Sequence, residues 1–250
     1  MHWMAKLVEA FSYRHTVAAG EAAGLKLITR SGDNNFARGT YEQPVQDAVV
    51  ENLSPGDVFY DIGANIGFFS LVAAQRVGVR GRVYAFEPVL GNATAIVRNA
   101  KLNGIDKIEV FREAVGATTG RGQLLLARHI GGAVLASAGA PPDMRGRIEV
   151  DVIALDDVIV RRNLQPPTLV KIDVEGAEID VLRGMTGTLR MHHPNVIYEI
   201  DDATRSGLER KAGDIAAFMA AAGYRLKPLP ASYPDNAWHV AHVLARPHRA

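Results

Sequence analysis

Apolar residues along this chain change period several times, and each change marks an element. Val45, Val49 and Leu53 recur at helical spacing, and Ser54, Pro55 and Gly56 end that helix. Residues 58–62 (VFYDI) then form a short apolar run, the pattern of a buried strand. Ile66, Phe69, Ala73 and Val77 follow as the stripe of an amphipathic helix. Residues 82–86 read as a second strand. Ala93, Ile96, Val97 and Ala100 read as a second helix stripe closed by Asn103 and Gly104, and residues 108–111 as a third strand.

After residue 111 the alternation loosens. Strands are expected at 123–128 and 148–153, on either side of an uncharged stretch, Ile130 to Pro142, rich in Gly, Ala and Pro. A fourth buried strand fits 168–172, a short helix 177–182 ends at Gly184, and a fifth strand fits 195–200. Leu208, Ala212, Ile215, Ala216 and Met219 make a helix stripe with Gly223 as its cap, and the last two strands fit 224–229 and 238–246. Strand alternating with helix predicts an α/β fold: a mostly parallel seven-stranded sheet with helices on both faces. The expected division is an N-terminal extension or lid over 1–43 and one domain over 44–250, with inserted strands at about 120–153.

Composition narrows the class. The chain has 250 residues, 48% hydrophobic and 22% charged, the balance of a globular protein rather than a disordered or collagen-like one. It has no cysteine, which excludes a disulfide framework, a thiolate metal site and a cysteine nucleophile. With 28 basic and 27 acidic residues, the charge is too even to argue for a nucleic-acid or anionic-membrane partner. No apolar run reaches the ~18 residues of a membrane span, and Lys6, Glu9, Arg14 and His15 interrupt what would be a signal-peptide core. The expectation is a cytoplasmic protein without a membrane span.

In a sheet of this kind ligands bind past the carboxyl ends of the strands. The first strand ends in Asp61, Ile62, Gly63, Ala64, Asn65, Ile66 and Gly67, and a helix follows at once. Glycine there lets a ligand approach the backbone closely. A dinucleotide fingerprint needs a glycine where Asn65 stands, and the third glycine comes one residue early. A carboxylate at Asp61 repels phosphate and favours an ammonium or sulfonium. The second strand ends in Glu87 and Pro88, where an acid is placed to accept both ribose hydroxyls. These features point away from NAD and toward a cationic nucleoside.

The ordered set DIGANIG (61–67), FEP (86–88), EAVG (113–116), LDD (155–157) and KIDVEGAE (171–178), preceded by RGTYE (38–42), resembles the FkbM-type family of S-adenosylmethionine-dependent methyltransferases. The likeness runs from about Gly39 to about Glu199. It implies the Rossmann-like class I methyltransferase fold and S-adenosylmethionine as cofactor. It also implies that the loop from Asp61 through Gly63 and Asn65 to Gly67 holds the methionine part, and Glu87 the ribose. Glu113 and Ala114 would border the adenine, Asp173 would face the sulfonium and the acceptor, and Glu42 would close over the amino-acid end. The family commonly methylates oxygen, so the implied acceptor is a hydroxyl on a small molecule, sugar or lipid-linked glycan. The residues themselves do not exclude nitrogen.

Asp173, Glu175 and Glu178 form an acidic cluster. Acids at a helix start are favoured by capping and by the helix dipole, which suffices for Glu175 and Glu178. Asp173 stands at a strand tip and is the first candidate for the base that takes the acceptor's proton. Magnesium held by Asp173 with Glu199 or Asp201 is an alternative way to acidify the acceptor. The eight histidines show no metal spacing. His239 and His242 fall on opposite faces of one strand, and a surface or core role is expected for each. Two other classes stay open: a nicotinamide-dependent oxidoreductase, whose G-x-G-x-x-G and Tyr-x-x-x-Lys are both missing, and a cofactor-binding protein without catalysis.

Overall fold

The computed structural model describes residues 13–29, 34–127, 133–136, 144–233 and 238–248. Most of the uncharged stretch from Ile130 to Pro142, and the first twelve residues, lie outside them. The chain opens with an antiparallel hairpin of β1 (Tyr13–Thr16) and β2 (Lys26–Thr29), then α1 (Asn34–Arg38) and α2 (Gln43–Glu51). Next come β3 (Val58–Ile62), α3 (Phe68–Val77), β4 (Arg82–Phe86), α4 (Leu90–Leu102) and β5 (Ile108–Phe111). Strands β6 (Ala114–Val115), β7 (Gly120–Ala127), β8 (Ala133–Leu135) and β9 (Met144–Ile153) form a separate sheet in the order β6-β9-β7-β8. The chain returns through α5 (Leu155–Arg161), β10 (Leu169–Ile172), α6 (Glu178–Arg183), α7 (Thr186–His192), β11 (Asn195–Asp202), α8 (Arg205–Ala221), β12 (Tyr224–Pro228) and β13 (His239–Pro247).

The main sheet has seven strands in the order β12-β13-β11-β10-β3-β4-β5. All neighbours are parallel except β13, which runs antiparallel to β11 and β12. The chain winds outward from β3 to β5, then crosses back to lay β10 on the other side of β3. The strand order reverses there, and the carboxyl ends of β3, β4, β10 and β11 open around one crevice.

Every residue of β3 and β10 is buried, so alternate side chains feed two cores. Tyr60, Ile62, Val170 and Ile172 pack on one side with Leu155, Val181 and Met219. Phe59 and Leu169 pack on the other with Phe69, Leu71 and Val72 of α3. At about 1.5–3 kcal/mol for each large apolar side chain buried, these two layers dominate the stability of the fold.

Two helix faces differ from the apolar pattern. Helix α3 is buried almost all round rather than along one stripe, and Ile66 precedes it. On α4, Val97 is 56% exposed, while Ala95 and Asn99 are buried. The N-terminal segment packs against both helices. Val17, Leu25, Leu27 and Phe36 share the core of α2 and α3. The Asn99 carboxamide oxygen accepts from Ile28 N at 2.9 Å, and its nitrogen donates to Ile66 O at 3.0 Å. One turn later, Asn103 accepts from Lys26 N at 2.8 Å and donates to Lys26 O at 2.7 Å. Two side-chain amides thus pair the edge of β2, which hydropathy does not reveal. Among the described residues, no helix is long and apolar enough to cross a membrane.

The LDD motif has a structural task. Asp156, in α5, caps the start of α7: its carboxylate accepts from the amides of Gly187 and Thr188, both at 2.7 Å, and from the Thr188 hydroxyl at 2.6 Å. Replacing a capping carboxylate by alanine costs about 0.5–2 kcal/mol. Asp156→Ala should therefore lower stability in urea unfolding by about 1–2 kcal/mol while ligand affinity at the crevice stays unchanged. A variant as stable as the parent would show that the cap contributes nothing.

Candidate active site

The crevice is built from strand tips that touch. Gly63 follows β3 with φ +80°, and a Cβ on it would lie 1.7 Å from the carbonyl oxygen of Asp173. The tips of β3 and β10 can approach this closely only over glycine. The amides of Gly63 and Ala64 both donate to Phe86 O, at 3.0 and 3.1 Å, which ties the loop to β4 as well. Asn65 takes a left-handed turn (φ 50°), and its amide donates to Glu87 Oε2 at 2.9 Å. Glu87 Oε1 accepts from Val89 N at 2.9 Å. Burial pushes the Glu87 carboxyl up to about 7, against the lowering effect of those two backbone bonds.

Behind the loop lies a buried cation. Lys171 stands opposite Asp61 in the β10–β3 register, on the face that α3 covers. Its Nζ donates to Asp173 Oδ2 at 2.8 Å and sits 4.6 Å from the centre of the Phe69 ring. Burial alone would discharge it, but Asp173, Glu42 and Asp61 outweigh burial and hold the ammonium above its usual range. Asp61 accepts from Ser70 Oγ at 2.5 Å; burial raises its carboxyl, and Lys171 opposes that rise.

The opposite wall comes from α2, β11 and β13. Glu42, in a left-handed conformation (φ 44°) at the start of α2, accepts from the Tyr233 hydroxyl at 2.7 Å. Glu199 and His242 are direct partners across β11 and β13, with His242 Nε2 at 2.7 Å from Glu199 Oε2 and 3.6 Å from Glu42 Oε2. Burial holds the His242 ring down to about 4, and it raises the carboxyls of Glu42 and Glu199. Glu175, at φ 57°, is pushed up to about 8, by burial first and by Asp173 and Asp201 next. These groups surround a pocket of about 180 Å³, whose lining includes Tyr41, Glu42, Gly63, Asn65, Glu87, Pro88, Ala114, Asp173, Glu175, Glu199 and Tyr233.

Residues 61–226 match the methyltransferase FkbM domain. The chain is 31% identical over 199 residues to the 31-O-demethyl-FK506 methyltransferase FkbM of Streptomyces tacrolimicus, covering 69% of this chain and 74% of that protein. The chain belongs to the FkbM methyltransferase family. The hexuronic acid methyltransferase AglP of Haloferax volcanii is 26% identical over 149 residues, 60% of this chain and 58% of that protein. The crystal structure of methyltransferase FkbM from Methylobacillus flagellatus shares the fold with a TM-score of 0.54 at 20% identity, over 77% of this chain and 44% of that one. A SAM-dependent O-methyltransferase of Thermotoga maritima does so with a TM-score of 0.51 at 12% identity, over 82% of this chain and 65% of that one.

In this FkbM-family chain Glu42, Gly63, Asn65, Glu87, Pro88, Ala114 and Asp173 meet at the pocket. Asp61, Gly67 and Glu113 do not line it. Asp61 points behind the loop to Ser70 and toward Lys171. Gly67, at φ +86°, opens α3 against Ile96. Glu113 pairs with Arg162. The space that a Cβ on Gly63 would take is filled by the chain itself, at the Asp173 carbonyl, while Gly63 also borders the pocket. Glu178 fastens the loop by accepting from the amides of Val174 and Gly176. Asp201 accepts from Trp238 Nε1 at 2.7 Å and is not in the lining. Lys171, Tyr233 and His242 were missed as site residues. Lys171 left a signal, a lone charge inside an apolar strand; His242 left none, because its partner is set by strand pairing.

The raised acids set a pH dependence. Glu175 keeps its proton in the folded chain up to about 8 but loses it near 4.5 when unfolded, so its stabilising contribution fades as pH rises between those values. His242 acts oppositely, but only below its ordinary value of 6.5. Stability against urea should therefore fall from pH 6.5 to pH 8, and Glu175→Gln should reduce that slope. An unchanged slope in the variant would show that Glu175 is not the group responsible.

Proposed function

We propose that this chain transfers a methyl group from S-adenosylmethionine to a hydroxyl oxygen of a small-molecule or sugar acceptor. One observation carries the reading: Glu87 is fixed at the tip of β4 by the amides of Asn65 and Val89, in a pocket whose wall also holds Glu42, Asp173, Glu175 and Glu199. A pocket lined with acids disfavours the pyrophosphate of a nicotinamide dinucleotide and favours a sulfonium and an ammonium, whose positive charge would draw those raised acids into their ionised form. The donor fits this chemistry. When bound, it supplies a methyl carbon made electrophilic by its positive sulfur.

Glu87 Oε2 keeps a lone pair beyond its bond from Asn65, and Oε1, which also takes the long 3.5 Å contact of Asn92 Nδ2, would exchange that contact for the second ribose hydroxyl. Gly63 and Asn65 would border the methionine part, Pro88 and Ala114 the base, and Glu42 the ammonium. Asp173 gives Oδ2 to Lys171 and keeps Oδ1 for the acceptor. As the new oxygen–carbon bond forms and the carbon–sulfur bond breaks, Asp173 would take the hydroxyl proton, and sulfur would leave as a neutral thioether. Most of the rate would come from holding oxygen, carbon and sulfur in line. Two of the relatives are named for 31-O-demethyl-FK506 and for hexuronic acid, which supports an oxygen acceptor on a small molecule or sugar. The segment before β3 would serve as one wall of the acceptor site, since it carries Tyr41 and Glu42 into the lining.

Calorimetry should give heat with S-adenosylmethionine and with its demethylated product, and none with NAD. Glu87→Ala should weaken both by about 1.5–3 kcal/mol, the range for hydrogen bonds to a charged group. Binding of NAD alone would refute the reading. Asp173→Asn should lower turnover by about 10²–10⁴ and change donor affinity much less. Turnover equal to the parent's would remove Asp173 from the chemistry.

A further inference from the structure

We propose that Glu42, Glu199 and His242 form a binding site for one divalent transition-metal ion, with open coordination positions facing the pocket. Each side chain offers one ligand atom, and the three atoms lie within 4.8 Å of one another. The scaffold is rigid: Glu199 and His242 are paired across two strands, and Glu42 starts a helix packed beside them. His242 Nε2 approaches two carboxylate oxygens, at 2.7 and 3.6 Å. Cis ligands bonded at about 2.0–2.2 Å to a common ion stand at about this spacing.

The ammonium beside the cluster, Lys171, is shared with Asp61 and Asp173. Glu42 and His242 are each 3% exposed, yet Glu42 Oε2 has no hydrogen-bond partner, and His242 Nε2, though 2.7 Å from Glu199 Oε2, does not meet it in hydrogen-bond geometry. A buried oxygen and nitrogen left so are costly unless a cation or a proton joins them. The adjacent ammonium, Lys171, is already bonded to Asp173. Ser232 Oγ lies 3.3 Å from His242 Nδ1, so an Nδ1–H donated to it leaves the Nε2 lone pair aimed into the cluster. That is the outer-shell arrangement that orients a ligating histidine.

One nitrogen and two carboxylates suit manganese, iron, cobalt or zinc better than magnesium, which prefers oxygen and water. The trio also differs from the set expected from the sequence, because Asp201 is held by Trp238 and Asp173 by Lys171. Glu42 and Glu199 line the pocket, whereas His242 stands behind them. The free positions of the ion therefore point where a hydroxyl would enter, and a coordinated hydroxyl loses its proton more easily. This last use rests on the methyl-transfer reading, with Glu42 then ligating the ion in place of closing on the donor's ammonium; the ion site itself does not rest on it.

The test is a cobalt(II) titration of the chelator-treated full chain, followed by visible absorption. One ion per chain is expected. His242→Ala and Glu199→Gln should each weaken it by at least the ~10–100-fold that loss of an outer-shell partner costs. Asp173→Asn, which removes a nearby charge but no ligand, should weaken it far less than either. Circular dichroism checks that the variants fold. No saturable cobalt binding by the folded parent overturns the proposal, as does equal affinity in both ligand variants. Calorimetry with S-adenosylhomocysteine on the same samples separates the two ideas. Cobalt bound without the nucleoside keeps the metal site and sinks the donor reading, and the nucleoside bound without cobalt does the reverse.

Discussion

A single buried ammonium organises the charged end of this fold. Lys171 stands in a strand that is otherwise apolar, opposite Asp61 and bonded to Asp173. Alone, a lysine this deep would lose its proton. Three carboxylates from β3, β10 and the start of α2 keep it charged, and it in turn lets them stay close together. Removing the ammonium would leave the buried Asp61 and the pocket-edge Asp173 without a counter-charge, a far larger penalty than the pair's net contribution to stability.

The same face explains why the polar groups converge. Phe59 and Leu169 mark the side of the sheet that α3 covers, and Ile197 and Leu244 share it. Side chains in a strand alternate between faces, so Asp61, Lys171, Asp173, Glu199 and His242 follow those apolar residues onto one side. Near the middle of the sheet the face is hydrophobic; at the carboxyl ends it turns acidic. The step from one to the other takes a single repeat along each strand.

The glycine loop belongs to the same construction. Gly63 allows the tips of β3 and β10 to touch, and Asn65 and Val89 pin the Glu87 carboxylate from two sides. The pocket is thus made by strand tips rather than by long loops. Its acids are held in place by backbone amides and by Tyr233, Lys171 and His242, which favours a preorganised electrostatic wall.

The sequence by itself determined the strands of the main sheet, most of its helices, the glycine loop and the acid at Glu87, because local periodicity and turn chemistry depend on neighbours in the chain. The ordered motifs also pointed to the family that the FkbM domain match establishes. Only the tertiary structure decided the N-terminal hairpin, because Asn99 and Asn103 pair its edge with side-chain amides that carry no hydropathy signal. It alone turned Asp61 away from the pocket toward Ser70 and Glu113 toward Arg162. It alone brought His242 to Glu199, since β13 runs antiparallel to β11 and sets its amino end beside the carboxyl end of its neighbour. Strand parity can be read from spacing, but which strands lie side by side, and in which direction, follows from how the whole sheet buries its two faces.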